Sequence, residues 1–453
     1  MRQKFFALRM AISIAAALGA GASWAGVSAD DAARLKTSLT PFGAERAGNK
    51  EGTIPAWTGG AMNPGFKLSS RNPDPFAGDK PIYSITAKNV DQYAEKLTDG
   101  VRALFKKYPE TFRIDVYPTR RSAAAPQAVY DHTFQNATRV SLVEGGAGMQ
   151  PKDAKGGIPF PIPKTAIEII WNHKLGWKWG PSLRERTRNF LITEDGKLVM
   201  LSEGDNYFMA PYYIDGIPQQ ENLQFVAKSI NSGPPIRAGE GILVQYDIDE
   251  SKSQSWVYLT GQRRVRKLPN PCCDTPVPFA AGAVTFDELA VFQGDTSRFD
   301  WTIVGKREML IPYNGNRLLT APKPEAAIAG KHLNPDYMRW ELHRVWVVEA
   351  DLKKDKRHTS PKSRYYVDED SWQVLLGDRW DAQGQLARVV MANPIFVPEN
   401  GLTFRGTIAA YDLIRNSSYI GFLHAGLSDP ITVLPTQQMS AFSPDSLAGE
   451  GVR

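Results

Sequence analysis

The stretch GILVQYDI, residues 241–248, alternates side chain by side chain. Ile242, Val244, Tyr246 and Ile248 fall on one face, the period of two that a half-buried strand requires. The same signal recurs to either side. Ser255 to Thr260 turns at Gly261 and Gln262 into Arg263 to Leu268, and Arg188 to Ile192 leads through Glu194, Asp195 and Gly196 into Lys197 to Ser202, each in the manner of a hairpin. Arg339 to Ala350 sets Leu342, Trp346 and Val348 in register. Trp372, Val374 and Leu376 repeat the pattern, Ala382 to Gln385 turn the chain into Leu386 to Met391, and Thr403 to Tyr411 reads as a further strand. Thr165 to Trp171 also alternates, with Ile167, Ile169 and Trp171 on one face. No internal repeat of fixed period is visible. These segments predict an α+β fold: a large curved antiparallel sheet, an incomplete barrel, with helices packed on its concave side.

Helical signals are fewer. A short helix is expected from Ala29 to Lys36 with Ser28 as its cap, and a longer one begins at Asn89. In the latter, Tyr93, Leu97, Val101, Leu104, Phe105 and Tyr108 share a face, and Pro109 ends the run. A further helix is expected from about Tyr130 to Val143, and Thr285 with Glu288 makes a capping box. Between the first two helices lies a loop-rich arm, about 37–85, holding Pro55, Pro64, Pro73 and Pro75. Such a segment has no core of its own and must wrap over another surface.

At the N-terminus, Arg2, Lys4 and Arg9 precede an apolar run from Met10 to Ala22, with Ser23 and Ala25 flanking Trp24. This is the pattern of a cleavable signal peptide, residues 1–25, and implies export to the periplasm. The apolar run is shorter than the roughly 20 residues of a membrane-spanning helix. Gly26 and Val27, rather than a cysteine, follow the expected cleavage point, so a lipid anchor there is not expected. Residues 26–453 are taken as a single elaborated domain. The formal net charge of +6 falls to about +3 once the three signal cations leave, too little to suggest nucleic acid. Aromatics make up 10% of the chain, with 11 Trp, which suits walls that touch amphiphiles as well as cores. The two cysteines are neighbours, Cys272 and Cys273, leaving open a strained vicinal disulfide, a bridge to a partner, or free thiols.

Catalysis has no sequence support. The six histidines, His132, His173, His332, His343, His358 and His424, lack metal-pair spacing, and no nucleophile elbow, P-loop or dinucleotide fingerprint occurs. Asp368, Glu369 and Asp370 lack the glycine a calcium loop needs at its sixth position and read as a turn between strands. His173 is expected to end a strand and anchor the next loop. No cofactor and no metal are expected.

The segment GGIPFPIPKTAIEIIWNH, from Gly156 to His173, resembles a family of Gram-negative periplasmic proteins known as domain of unknown function 1329. So do WVYLTGQRRVRKLP from Trp256, RWELHRVWVVEA from Arg339 and YYVDEDSWQVLLGDRWDAQGQL from Tyr365, and the resemblance spans nearly the whole chain after the signal. It implies a fold similar to the lipoprotein carriers LolA and LolB, with a hydrophobic cavity, and work beside resistance-nodulation-division exporters of lipids. From the residues themselves, Pro159, Pro161 and Pro163 make a stiff approach to Thr165, serving either as a cavity rim or as a plain connector.

The resulting expectation is a carrier or chaperone for a lipid, lipoprotein or other hydrophobic compound, partnered by an inner-membrane exporter and an outer-membrane acceptor. Ile167, Ile169, Trp171, Val244, Tyr246, Trp256, Tyr258, Trp346, Val348, Trp372 and Val374 are the residues expected to line its cavity. Arg263, Arg264 and Arg266 are expected to meet lipid phosphate or an acidic partner, or else to guard an edge strand. The alternatives are an envelope protein that docks a membrane complex and holds nothing inside, and, last, a hydrolase assembled from scattered groups.

Overall fold

The computed structural model describes residues 26–69, 72–216, 222–268 and 273–451. The expected signal peptide and Cys272 lie outside the described residues. The described chain opens with α1 (Ala29–Ala33) and a 3-10 turn (Arg34–Lys36), capped as expected by Ser28, whose Oγ accepts from the Asp31 amide. Then come β1 (Tyr83–Ile85), α2 (Asp99–Lys107), β2 (Ile114–Val116), α3 (Gln127–Arg139), β3 (Ser141–Gly145), β4 (Gly148–Lys152) and α4 (Ala166–Lys174). A first meander follows: β5 (Ser182–Ile192), β6 (Leu198–Met209), β7 (Leu223–Gly233), β8 (Gly241–Asp247), β9 (Gln254–Leu259) and β10 (Arg264–Lys267). Past β11 (Phe299–Pro312) and the short β12 (Ile328–Ala329) and β13 (His332–Leu333) comes a second. It consists of β14 (Trp340–Leu352), β15 (Lys362–Asp368), β16 (Val374–Trp380), β17 (Leu386–Val397), β18 (Leu402–Asp412) and β19 (Ser417–Leu423). The chain ends with β20 (Ile431–Val433) and α5 (Pro444–Gly451).

Each meander pairs neighbour to neighbour because short turns favour antiparallel hairpins. Pairing of β19 with β5 joins the two meanders into one 16-stranded sheet, with β11 on the outer edge of β14 and β10 at the opposite end. Among the described residues β10 and β11 do not pair, so the antiparallel sheet stays unclosed. The turns at Gly196 and Gly384 both need φ near +80°, at +83° and +75°, as hairpin turns require. The middle strands lose their alternation: β18 is buried along all but its last residue, so both of its faces are covered.

One face of the β7–β9 region carries Val226, Leu243 and Tyr258, which pack with Phe442 and Leu447 beneath α5. On that side Lys228 reaches Glu450 at 2.6 Å and the Ala441 carbonyl at 2.8 Å. Helix α2 covers β16 and β17, and Gly100 permits its close approach. A Cβ at Gly100 would lie 2.1 Å from Asp378 Oδ1 and 2.8 Å from Val389 Cγ2. Gly100→Ala should therefore cost about 1–3 kcal/mol of stability through overpacking, read from the urea midpoint, despite the better helix propensity of alanine. Among the described residues no helix is long and apolar enough to cross a membrane.

Three expectations are corrected. Thr165–Trp171 is not a strand: Thr165 caps α4, its Oγ1 accepting from the Glu168 amide while the Glu168 carboxylate accepts from the Thr165 amide at 2.9 Å. The Thr-x-x-Glu spacing is a helix-start signal, and because α4 is buried nearly all round, its apolar pattern carries no helical face to read. His173 accordingly belongs to α4, not to a strand end. The helix expected from Asn89 is broken in two, a 3-10 stretch (Val90–Lys96) and α2, with Leu97 extended between them. Thr98 restarts the helix, its Oγ1 accepting from the Val101 amide at 3.0 Å. The third helix ends at Arg139, not Val143, since Ser141 to Gly145 pairs with β4.

Candidate functional site

Between β10 and β11, residues 277–293 cross the face of the sheet opposite α5 and cover a partly open cavity. Its floor comes from alternate residues of adjacent strands. Phe208 pairs with Ala227 and Asn206 with Ser229, while Phe225, Ala227 and Ser229 pair in turn with Tyr246, Val244 and Ile242. Its roof is the 277–293 segment, through Val277, Phe279, Phe286, Leu289 and Gln293. Trp179, stacked on Phe208 with centroids 4.6 Å apart, closes one side. The space measures about 120 Å³, similar to the roughly 150 Å³ of an engineered apolar cavity that takes benzene and below the ~300–1,000 Å³ of drug-sized sites. The hollow is thus neither solid nor wide.

The roof is tied down by ions. Arg379 donates to Asp287 at 2.9 Å and to the Val291 carbonyl at 3.0 Å, and Arg388 meets Glu288 at 2.7 Å. His358 Nε2 lies 3.1 Å from the same Asp287 carboxylate. Burial would push Asp287 up, but Arg379 and His358 hold it well below the usual carboxylate range. The expected capping box of Thr285 and Glu288 shapes the 3-10 turn (Phe286–Glu288) at the middle of the roof. His173 braces its end: the ring accepts from the Val374 amide at 3.0 Å through Nδ1 and donates to the Phe292 carbonyl at 2.9 Å through Nε2. With that pattern the imidazole is neutral, and burial lowers its pKa well below the ordinary value.

Of the residues expected to line a cavity, Val244 and Tyr246 stand on this wall. Trp256 and Tyr258 belong to the cluster under α5, on the other face. Ile167 and Trp171 pack with Val140, Leu142 and Phe160, and Ile169, Val348 and Val374 lie in the main core. Trp346 is half-buried beneath the Lys306 ammonium, 4.9 Å from its ring. Trp372 sits in a left-handed conformation, φ +58°, and its indole donates to the Phe42 carbonyl at 2.7 Å. Arg264 and Arg266 are exposed on edge strand β10, with Arg263 in the turn before it. Cys273 is buried and disulfide-bonded. The sequence reading missed β7 and the roof. The alternation Phe225, Ala227, Ser229, Asn231 against Val226, Lys228, Ile230 was the available signal for β7, while nothing local marks a roof.

A second cluster lies where β15 turns into β16. Asp368, Glu369 and Asp370 form the expected turn, yet all are buried. Arg121 forks Asp370 at 2.9 and 2.6 Å, and Lys306 meets Glu369 at 2.7 Å. His343 lies between Glu341, 3.1 Å from Nε2, and Asp368, 3.2 Å from Nδ1, with the Tyr313 ring tilted 31° against its own at 4.0 Å. Burial alone would lower its pKa, but these carboxylates push it up to about 10. Burial likewise pushes Glu369 up to about 7 against the pull of Lys306. Candidate ligand atoms of His343, Asp368 and Asp370 lie within 4.8 Å of one another. Both imidazole nitrogens already face carboxylates and Asp370 is forked by Arg121, so the arrangement is that of a neutralised ion cluster.

Comparison with known proteins places these features in a family. The model for the protein family of unknown function DUF1329 matches residues 84–448. A Pseudomonas aeruginosa relative, uncharacterized protein PA3922, is 38% identical over 441 residues, covering 95% of each chain. A crystal structure of a DUF1329 family protein from Desulfovibrio piger overlays with a TM-score of 0.42 at 12% identity, covering 62% of this chain and 95% of that one. The LolA superfamily protein NE2245 from Nitrosomonas europaea gives 0.37 at 11%, covering 63% and 100%. On the extent of the family match and of the identity to its relative, this chain belongs to the DUF1329 family.

Proposed function

We propose that this chain is a periplasmic carrier that holds a lipid or other hydrophobic cargo by reversible binding, with no bond made or broken. The supporting observation is the apolar cavity lying between the sheet and the 277–293 roof, walled by Phe208, Phe225, Tyr246, Phe286 and Leu289. A short stretch of chain fits the space as it stands; a longer or bulkier cargo enters when the roof lifts from its Arg379 and Arg388 anchors. The carrier takes cargo from an inner-membrane exporter and passes it to an outer-membrane acceptor, since an apolar group leaving the site must avoid water. The titratable cluster around His343 serves stability in this reading, because its residues do not stand on the cavity wall.

Solvent extraction of the purified protein followed by lipid mass spectrometry should recover a copurifying hydrophobe, and the protein should take up the uncharged dye N-phenyl-1-naphthylamine. Ala227→Phe, which sets a ring into the cavity floor, should reduce dye uptake at least about fivefold while the chain stays folded. A folded wild-type protein with neither lipid nor dye would remove the carrier reading. It would leave the docking protein, which one observation favours: the exposed edge of β10 with Arg264, Arg266 and Lys267.

A further inference from the structure

The cavity wall changes character along its length. Strand β7 presents Phe225, Ala227, Ser229 and Asn231 in order, and the antiparallel β6 lays Phe208, Asn206 and Ser202 beside them. Asn189 of β5 extends the polar end, its Nδ2 donating to Ser202 Oγ at 2.9 Å. One end of the cavity is therefore aromatic and the other is made of amides and hydroxyls. Gln293 in the roof is 4% exposed, and neither atom of its amide has a hydrogen-bond partner. Asn231 Nδ2 and Trp179 Nε1 are also buried without an acceptor. A buried polar atom left unpaired is unfavourable, so these groups favour an occupant that pairs with them.

Charge narrows the choice. Among the described residues Arg405 is the one ionic side chain of the wall, and it is already committed: it pairs with Glu185, donates to the Gly406 carbonyl at 2.9 Å and lies 3.4 Å from the Phe422 ring centroid. Glu185 in turn faces His424 at 3.3 Å. Among the described residues no uncommitted cation on the wall is left to neutralise an anionic head, whose burial without a counter-charge is strongly unfavourable. A pure hydrocarbon fits no better, because it would leave the polar end unpaired.

We infer that the ligand is an uncharged amphiphile, an aliphatic chain ending in a neutral hydroxyl, ester or amide head, with the chain against Phe208, Phe225 and Tyr246 and the head at Asn231. The inference rests on the carrier reading and names its cargo class. The test is displacement of N-phenyl-1-naphthylamine from the full-length purified protein by three probes of equal chain length: monodecanoylglycerol, decanoate at pH 8, and decane. Monodecanoylglycerol should displace the dye at roughly tenfold lower concentration than either of the others. Asn231→Leu, checked for folding by its thermal transition, should weaken monodecanoylglycerol about fivefold and leave decane unchanged. If decanoate or decane competes as well as monodecanoylglycerol, the neutral-head assignment falls and the carrier reading stands. If neither dye nor any probe binds the wild-type protein, both fall. Should the leucine variant fail to fold, the order of the three probes on the wild type still decides.

Discussion

Replacing His343 with alanine is expected to lower the unfolding free energy by about 3–5 kcal/mol at pH 6, because it strips the shared partner from two buried carboxylates, Glu341 and Asp368. The loss should shrink as pH rises. In the folded chain the imidazole keeps its proton up to pH about 10, whereas an unfolded histidine releases it near pH 6.5. A raised folded value means that folding takes up a proton: the contribution is complete below about pH 6.5 and fades as pH climbs through about 10. Glu369 acts in the same direction over a lower range, since its folded pKa near 7 exceeds the ordinary carboxylate value and its ionisation weakens the fold as pH passes upward. Wild-type stability should therefore decline from pH 6 to pH 10, and the variant should decline less. Urea midpoints of both proteins at the two pH values measure this. Parallel slopes, or a variant as stable as wild type at pH 6, would refute the role assigned to the cluster.

Arg379→Met should have an effect of similar size and a different signature. The guanidinium is fully buried and holds Asp287 and the Val291 carbonyl, so its removal leaves a buried carboxylate beside His358 and the Thr285 hydroxyl. The expected cost is about 3–5 kcal/mol. Because both of those contacts belong to the roof, the loss should be felt locally before it is felt globally: dye uptake at the cavity should become faster, and amide exchange should rise across 285–293 while β17 and β18 stay protected. A conservative Arg379→Lys, which cannot reproduce the two-handed contact, should fall between the two. Uniform exchange across the sheet, with no change in uptake rate, would show that the roof is not held in this way.

The strands were the most legible part of the chain. GILVQYDI, the hairpin at Asp195–Gly196 and the run from Trp340 read correctly because β-branched and aromatic runs between turn residues mark strands, with side chains alternating between two faces even where both are covered. Legibility failed where a helix is buried on every side. In α4 the apolar positions follow no face, so the capping box at Thr165 and Glu168 was the better guide than the alternation of Ile167, Ile169 and Trp171. Val244 and Tyr246 were found because they lie on an alternating strand, but Trp256 and Tyr258, which look alike in sequence, belong to the opposite face beneath α5.

By itself the sequence determined many of the sheet's strands, the family and the aromatic supply from which a greasy wall is made. Local pattern suffices for these, because hydrogen-bonded neighbours along a meander are also neighbours in the chain. Only the tertiary structure decided which face of each strand meets the cavity, and that the 277–293 segment roofs it through Asp287 and Arg379, residues 92 apart in sequence. It alone turned Asp368, Glu369 and Asp370 from a polar turn into a buried ion cluster with Arg121 and His343. Such pairings depend on which distant groups share a low-dielectric space, and no local period encodes that.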